Sequence, residues 1–428
     1  MKTKSLKWLF YLSAILAGFD YDGTKIFFLD SSDIYDITNS FGFERSPISS
    51  IFGSILCVIC IILAFFAIKI NEEIKYIVAF SLMHIIGIFS TFIAGNDIHA
   101  RSLSIAIVIA SSQGIFALCL FLLARFNYTS YNIVEMLICF SSGDFISEVV
   151  LNIVDITFSQ SIQVLVEGYS SMIFTIISFA MIILAYNAKE QLIFVKNKPI
   201  YGEKKFINDL SNKKRDYKVL IPILLLMILG YLIGNVDILN INSLSFMQNN
   251  ISSVSFLCIQ LTISIIYVAA AVVFQVIKKK NLIKVNVVSC IILLIIVLFY
   301  FFVFPYIINN GGLSKLILLP FVIMAYCFFS ELTFWVSLFY FVARYVSRAN
   351  RQIGLLFLLV AGFLGHLAKT IFFQFSESQV FSILAIVVSI ILFILFEKMV
   401  KHNLVDEKTE KDLNYFDSHL FIEREIDD

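Results

Sequence analysis

The sequence predicts an all-α polytopic membrane protein of twelve transmembrane helices, arranged as two bundles of six. Three observations carry this. Of 428 residues, 59% are hydrophobic and only 15% are charged, against about 25% charged in a soluble domain. Apolar runs of about 20 residues, the length that crosses a bilayer as a helix, recur from end to end. Lysine and arginine gather in alternate gaps between those runs, as they do in cytoplasmic loops. The runs show no two-residue alternation, which excludes a membrane β-barrel. A net charge of +1 gives no bulk attraction for nucleic acid.

The spans fall at about 8–29, 49–68, 75–94, 102–124, 132–153 and 165–187, then 219–238, 252–277, 285–308, 316–342, 352–373 and 379–397. The longest polar interruption, NAKEQLIFVKNKPIYGEKKFINDLSNKKRDYK, divides them six and six. The domains are therefore 1–187, a basic linker at 188–218, 219–400, and a charged tail at 401–428. The opening MKTKSLK-WLFYLSAILAG also has the layout of a cleaved signal peptide, whose loss leaves eleven spans and an outside N-terminus. The apolar face resumes at Ile26 to Leu29 and completes a membrane-length helix, which favours a retained first span.

Charge fixes the expected orientation. With the N-terminus inside, the cytoplasmic gaps hold Lys2, Lys4, Lys7, Lys69, Lys75, Arg125, the basic linker, Lys278 to Lys280, Lys284, Arg344, Arg348, Arg351 and the basic residues of the tail. The opposite side receives only Arg45, Arg101 and Lys315, while Lys25 and Lys369 fall inside spans. The expectation is a cytoplasmic (inner) membrane protein with both termini cytoplasmic.

An internal repeat supports the division. Span four ends LFLLARF and span ten ends LFYFVARY, so Arg125 and Arg344 occupy the fourth position of each set. That suits a parallel duplication about an axis normal to the membrane. With its six-plus-six spans, its long basic central loop and the Gly18-Phe19-Asp20 of span one, the chain resembles the major facilitator superfamily. The resemblance implies two six-helix bundles around a central cavity, lined by every span except three, six, nine and twelve. The loop between spans two and three, AIKINEEIKY, lacks that family's Gly- and Arg-rich signature. More weakly, residues 331–365 resemble the membrane module of LuxR-type regulators, but no DNA-binding domain follows and the tail ends in acidic IEREIDD, which phosphate would repel.

A charge at mid-bilayer costs roughly 2.5–3.5 kcal/mol on insertion scales, so ionisable groups inside spans mark candidate sites. Span one carries Asp20, Asp22 and Lys25; span five, Asp144 and Glu148; span seven, Asp237; span ten, Glu331; span eleven, His366 and Lys369. Asp22 and Lys25, three apart, can pair on one helical face. Spans five and eleven are equivalent by the repeat, one acidic and one basic, so Asp144 and Glu148 are expected to meet His366 and Lys369 across the cavity mouth. Asp20 or Glu331 is the candidate proton- or cation-coupling acid. His84 in span three reads as a hydrogen-bonded packing residue. Gly230 and Gly234 form a G-x-x-x-G for close helix approach, and Gly18 and Gly23 leave span one free to bend beside Asp20. Pro222, Pro305 and Pro320 are expected near span ends.

The seven cysteines all lie in apolar runs; Cys57 and Cys60 form C-x-x-C with no second ligand pair, so they read as packing residues rather than a metal or redox site. No nucleotide-binding P-loop, H-E-x-x-H or G-x-S-x-G occurs, and the two polar segments are too short for a soluble enzyme core. The expected function is secondary-active transport of a small solute, proton-coupled, by a monomer in the lipid bilayer, with no cofactor, metal, catalytic residue or nucleic acid. The alternative is a membrane-embedded sensor with a transporter-like fold and no transport.

Overall fold

A computed structural model describes residues 11–12, 14–16, 18–19, 47–94, 98–125, 134–143, 145–146, 149, 169, 172–173, 176–177, 179–180, 183, 213–234, 262, 265–266, 268–274, 282–303, 312–346, 350–372 and 378–400. Every described element is helical. In chain order they are α1 (Pro47–Lys69), α2 (Glu73–Ala94), α3 (Ile98–Arg125), α4 (Val134–Gly143), α5 (Lys213–Gly234), α6 (Leu282–Leu298), α7 (Gly312–Ser330), α8 (Ser337–Tyr345), α9 (Arg351–Phe372) and α10 (Ser378–Met399). Eight of the expected spans coincide with them to within a few residues; the twelve-span count extends beyond the described residues. Among the described residues, five helical stretches are long and apolar enough to cross a membrane, one of them the 28-residue Leu318–Tyr345. Their outer sides carry exposed Ile86, Ile93, Ile295, Phe321 and Val380, a lipid-facing pattern rather than a soluble one.

Local chemistry places the helix ends. Pro47 sits at the first turn of α1, where its missing N–H costs nothing. At the other end the Glu72 N–H donates to Ala67 C=O at 2.9 Å and the Asn71 N–H to Ile68 C=O at 3.4 Å. With Asn71 at φ 57°, this is a Schellman closure using asparagine where glycine is commoner. The next helix starts at once: Glu72 C=O accepts from the Lys75 and Tyr76 amides, and the Glu73 carboxylate lies in the first turn, where the helix dipole favours it. Glu72 and Lys75 form an ion pair beside it.

Two prolines stand near the start of their apolar stretches, as expected, yet inside helices. Pro222 and Pro320 lie inside α5 and α7, because both helices begin several residues before their apolar stretch. In α5 the added turns are the charged KKRDYK, which stays helical outside hydrocarbon.

The described helices pack into two groups. α1, α2 and α3 pack on one another, and α5 to α10 form the other group. Among the described helices, α9 is the one that packs extensively on both, lying against α5 and α8 on one side and α1 and α3 on the other. The side that carries the Lys69–Lys75 turn, the end of α3 at Arg125 and the start of α9 at Arg351 is called the basic face below.

Two segments depart from α geometry. Phe299–Val303 continues α6 as a π-helix, and Glu331–Val336 joins α7 to α8 in the same form. A π turn closes across five residues instead of four and rotates every following side chain relative to those before it.

Candidate functional site

Glu331 is the candidate whose side chain is described. It opens the second π segment, near the middle of the Leu318–Tyr345 span, and is half-buried. Among the described residues it makes no hydrogen bond or ion pair. One π turn later the Ser337 amide donates to Leu332 C=O. The Ser337 hydroxyl also donates to that carbonyl at 2.6 Å and stands 3.1 Å from Asn286 Oδ1 on α6. Thr333 and Ser337, in and just after the π segment, are buried, as are Asn286 and Ser289 on α6. Asn286 Nδ2 and Thr333 Oγ1 find no partner among the described residues.

The π segment is held from behind by α5. Gly230 abuts Phe334, and a Cβ at Gly230 would stand 2.5 Å from the Phe334 Cβ. The close approach expected of Gly230 is therefore used against span ten. Beside it, the buried Tyr326 hydroxyl donates to the Ile233 carbonyl. Phe334 continues into Phe393 of α10, ring centres 6.3 Å apart.

The remaining candidates are less accessible. Asp20, Asp22, Lys25, Asp144, Glu148 and Asp237 lie outside the described residues. His366 and Lys369 lie on α9, three residues apart, with side chains outside the described set. The described part of span one and α4 are nonetheless in backbone contact. A Cβ at Gly18 would fall 2.0 Å from Phe140 O, and one at Gly143 would fall 1.8 Å from Ile15 O. Gly18 thus serves close packing of span one on α4. The same two helices are joined near their ends by the Tyr11 hydroxyl, which donates to the Glu135 carboxylate.

His84, at the centre of α2, is fully buried. Its Nδ1 lies 3.1 Å from Ser111 Oγ and 3.2 Å from Ser112 Oγ on α3, while Ser111 donates its own hydrogen to Val108 C=O. This is the packing role expected for it. Cys57, Cys60, Cys119, Cys290 and Cys327 are buried thiols, as packing residues should be. Among the described residues no group of three or more His, Cys, Asp or Glu could hold a metal.

Several polar residues escaped the sequence reading. Glu73 and Asp216 look like loop carboxylates but are buried in first helical turns. Glu135, inside the expected fifth span, is a third that escaped. Asn286, in KVNVVS, was the legible one, a polar residue inside an apolar run.

No family model matches the chain, and no curated relative matches it either. Solved structures do. The proton:xylose symporter XylE superimposes with a TM-score of 0.60 at 13% identity, covering 94% of this chain and 95% of that one. A bacterial homologue of the iron transporter ferroportin, in an outward-facing state, gives 0.64 at 10% identity over 92% and 99%. The POT family transporter PepTSo gives 0.63 at 10% identity over 94% and 99%. Likeness along nearly the full length of each, in a chain whose described residues are all helical, shows that this protein has the major facilitator superfamily fold, that of a multi-pass membrane protein.

Proposed function

We propose that the chain is a secondary-active transporter that moves a small solute across the bilayer by alternating access, with Glu331 as its proton-coupling carboxylate. The observation that carries this is the position of Glu331. A half-buried carboxylate without a described charged partner opens a π turn in mid-span, and such turns concentrate at functional sites. An ionised carboxylate there needs water, a cation or a proton; taking up and releasing the proton on opposite sides would couple solute movement to a proton gradient. The matched structures support the reading, one being a proton:xylose symporter and another a POT family transporter.

In this account Asp20 is a second acid on the same path, Asp22 and Lys25 form a local pair, and Asp144 and Glu148 meet His366 and Lys369 as the halves rock. The protein works as a monomer in the cytoplasmic membrane with both termini inside, as the Lys and Arg distribution supports. The test is flux in proteoliposomes across a panel of small solutes under imposed proton and sodium gradients. Gradient-driven uptake that Glu331→Gln abolishes supports the reading; no flux for any solute under any gradient overturns it.

A further inference from the structure

We propose that Gln352 is a latch between the two helix groups at the basic face, setting the balance between the form in which they meet there and a form open on that side. Its side-chain amide, Nε2, donates to the backbone carbonyl of Phe121 at 3.0 Å. Phe121 belongs to α3 in one group and Gln352 to the first turn of α9 in the other. Both lie at the basic face, Phe121 one turn before Arg125 and Gln352 one residue after Arg351. Phe121 is fully buried, so its carbonyl is held in a fixed place.

The start of α9 is anchored to its own group by a separate bond. Asn350 caps the helix, its C=O accepting from the Gly354 N–H at 2.8 Å, and its Nδ2 donates to Asp216 Oδ2 on α5 at 2.6 Å. The two contacts therefore divide the work. Asn350 fixes the helix start to α5, and Gln352, two residues on, reaches across to α3. Separating the groups at this face breaks the second bond and leaves the first intact.

The chemistry suits a reversible latch. A neutral amide reaching a carbonyl carries no charge to desolvate, so the bond can form and break without the large penalty of a buried ion pair. Its net worth is that of one hydrogen bond, which corresponds to a ratio of about fivefold between closed and open forms. Being uncharged on both sides, it should also be insensitive to salt.

The test measures the distance between residues 75 and 218, both exposed lysines at the basic face, one in each group. Spin labels are introduced there through an unnatural amino acid in the full-length protein, which leaves the native cysteines in place. The wild type should give mainly the short distance. Gln352→Ala should raise the long-to-short ratio about fivefold. Gln352→Glu, nearly the same shape but with an acceptor facing the carbonyl, should raise it further, and the wild-type and Gln352→Ala ratios should not change between low and high salt. Distance distributions identical to wild type in both variants overturn the proposal. So does a Gln352→Glu variant that matches wild type while Gln352→Ala shifts, because the side chain would then act by volume alone. If Gln352→Ala does not fold, Gln352→Glu decides alone, a raised ratio supporting the latch and an unchanged one refuting it. The measurement needs no substrate, so its failure leaves the transport reading standing, and an absence of flux leaves the latch standing.

Discussion

Gly230 on α5 meets Phe334 in the π segment with no space for a methyl group: an added Cβ would stand 2.5 Å from the Phe334 Cβ. The contact supports the turn that carries Glu331 from the opposite side. Gly230→Ala should force Phe334 out of place and cost about 1–3 kcal/mol, the usual scale of overpacking. Thermal unfolding of the purified protein measures it. In a double-mutant cycle, Phe334→Ala should reduce the penalty of Gly230→Ala, because it removes the Cγ and Cδ1 atoms that lie 2.7 and 2.9 Å from the new methyl.

The crossing of span one on α4 is tighter still, since Gly18 and Gly143 each face backbone carbonyl oxygens that cannot rotate away. Here the expectation is harsher than at Gly230. Either Gly18→Leu or Gly143→Leu should reduce folded yield by an order of magnitude, whereas Cys139→Ala on the same helix should be tolerated. Monodispersity on gel filtration after solubilisation is the measurement, and normal yield for both leucine variants would contradict the crossing.

His84 is assigned to packing. His84→Ala should cost about 1–3 kcal/mol of stability, because Ser111 and Ser112 lose a buried partner. The pH profile of any measured uptake should keep its shape. A profile that moves in His84→Ala while the protein stays folded would reassign the residue to proton transfer.

The segments that fit hydropathy best were the easiest to read from sequence. The span expected at 75–94 is helix Glu73–Ala94, and that at 379–397 is Ser378–Met399. Composition reports length in lipid, and these helices have little else to decide. It does not report turn geometry, so the π segments at Phe299 and Glu331 were invisible: a wide turn and a narrow one can be built from the same apolar residues. The start of α5 was placed six residues late because its charged first turns are helical but not lipid-like. Charge marks Glu331 in the sequence but not Gln352, whose neutral amide makes the cross-group bond. Glu73 and Asp216 were passed over because sequence cannot tell a carboxylate in solvent from one folded into a first helical turn.

The acidic tail separates the transport reading from the sensor alternative. On the transport reading, deleting residues 403–428 should leave solute flux within about twofold of the full chain, since the proposed path lies within the helices. A sensor would keep ligand binding and lose its output. Loss of flux with ligand-induced thermal stabilisation retained would favour a regulatory tail.

The most direct test of the central claim is uptake into proteoliposomes with and without an imposed proton gradient, comparing the wild type with Glu331→Gln. The account predicts that the gradient drives the wild type to accumulate its solute. In Glu331→Gln, which mimics the protonated acid, accumulation should vanish while solute exchange down its own gradient persists. Gradient-driven accumulation by Glu331→Gln at the wild-type level would contradict the assignment of Glu331 as the coupling acid.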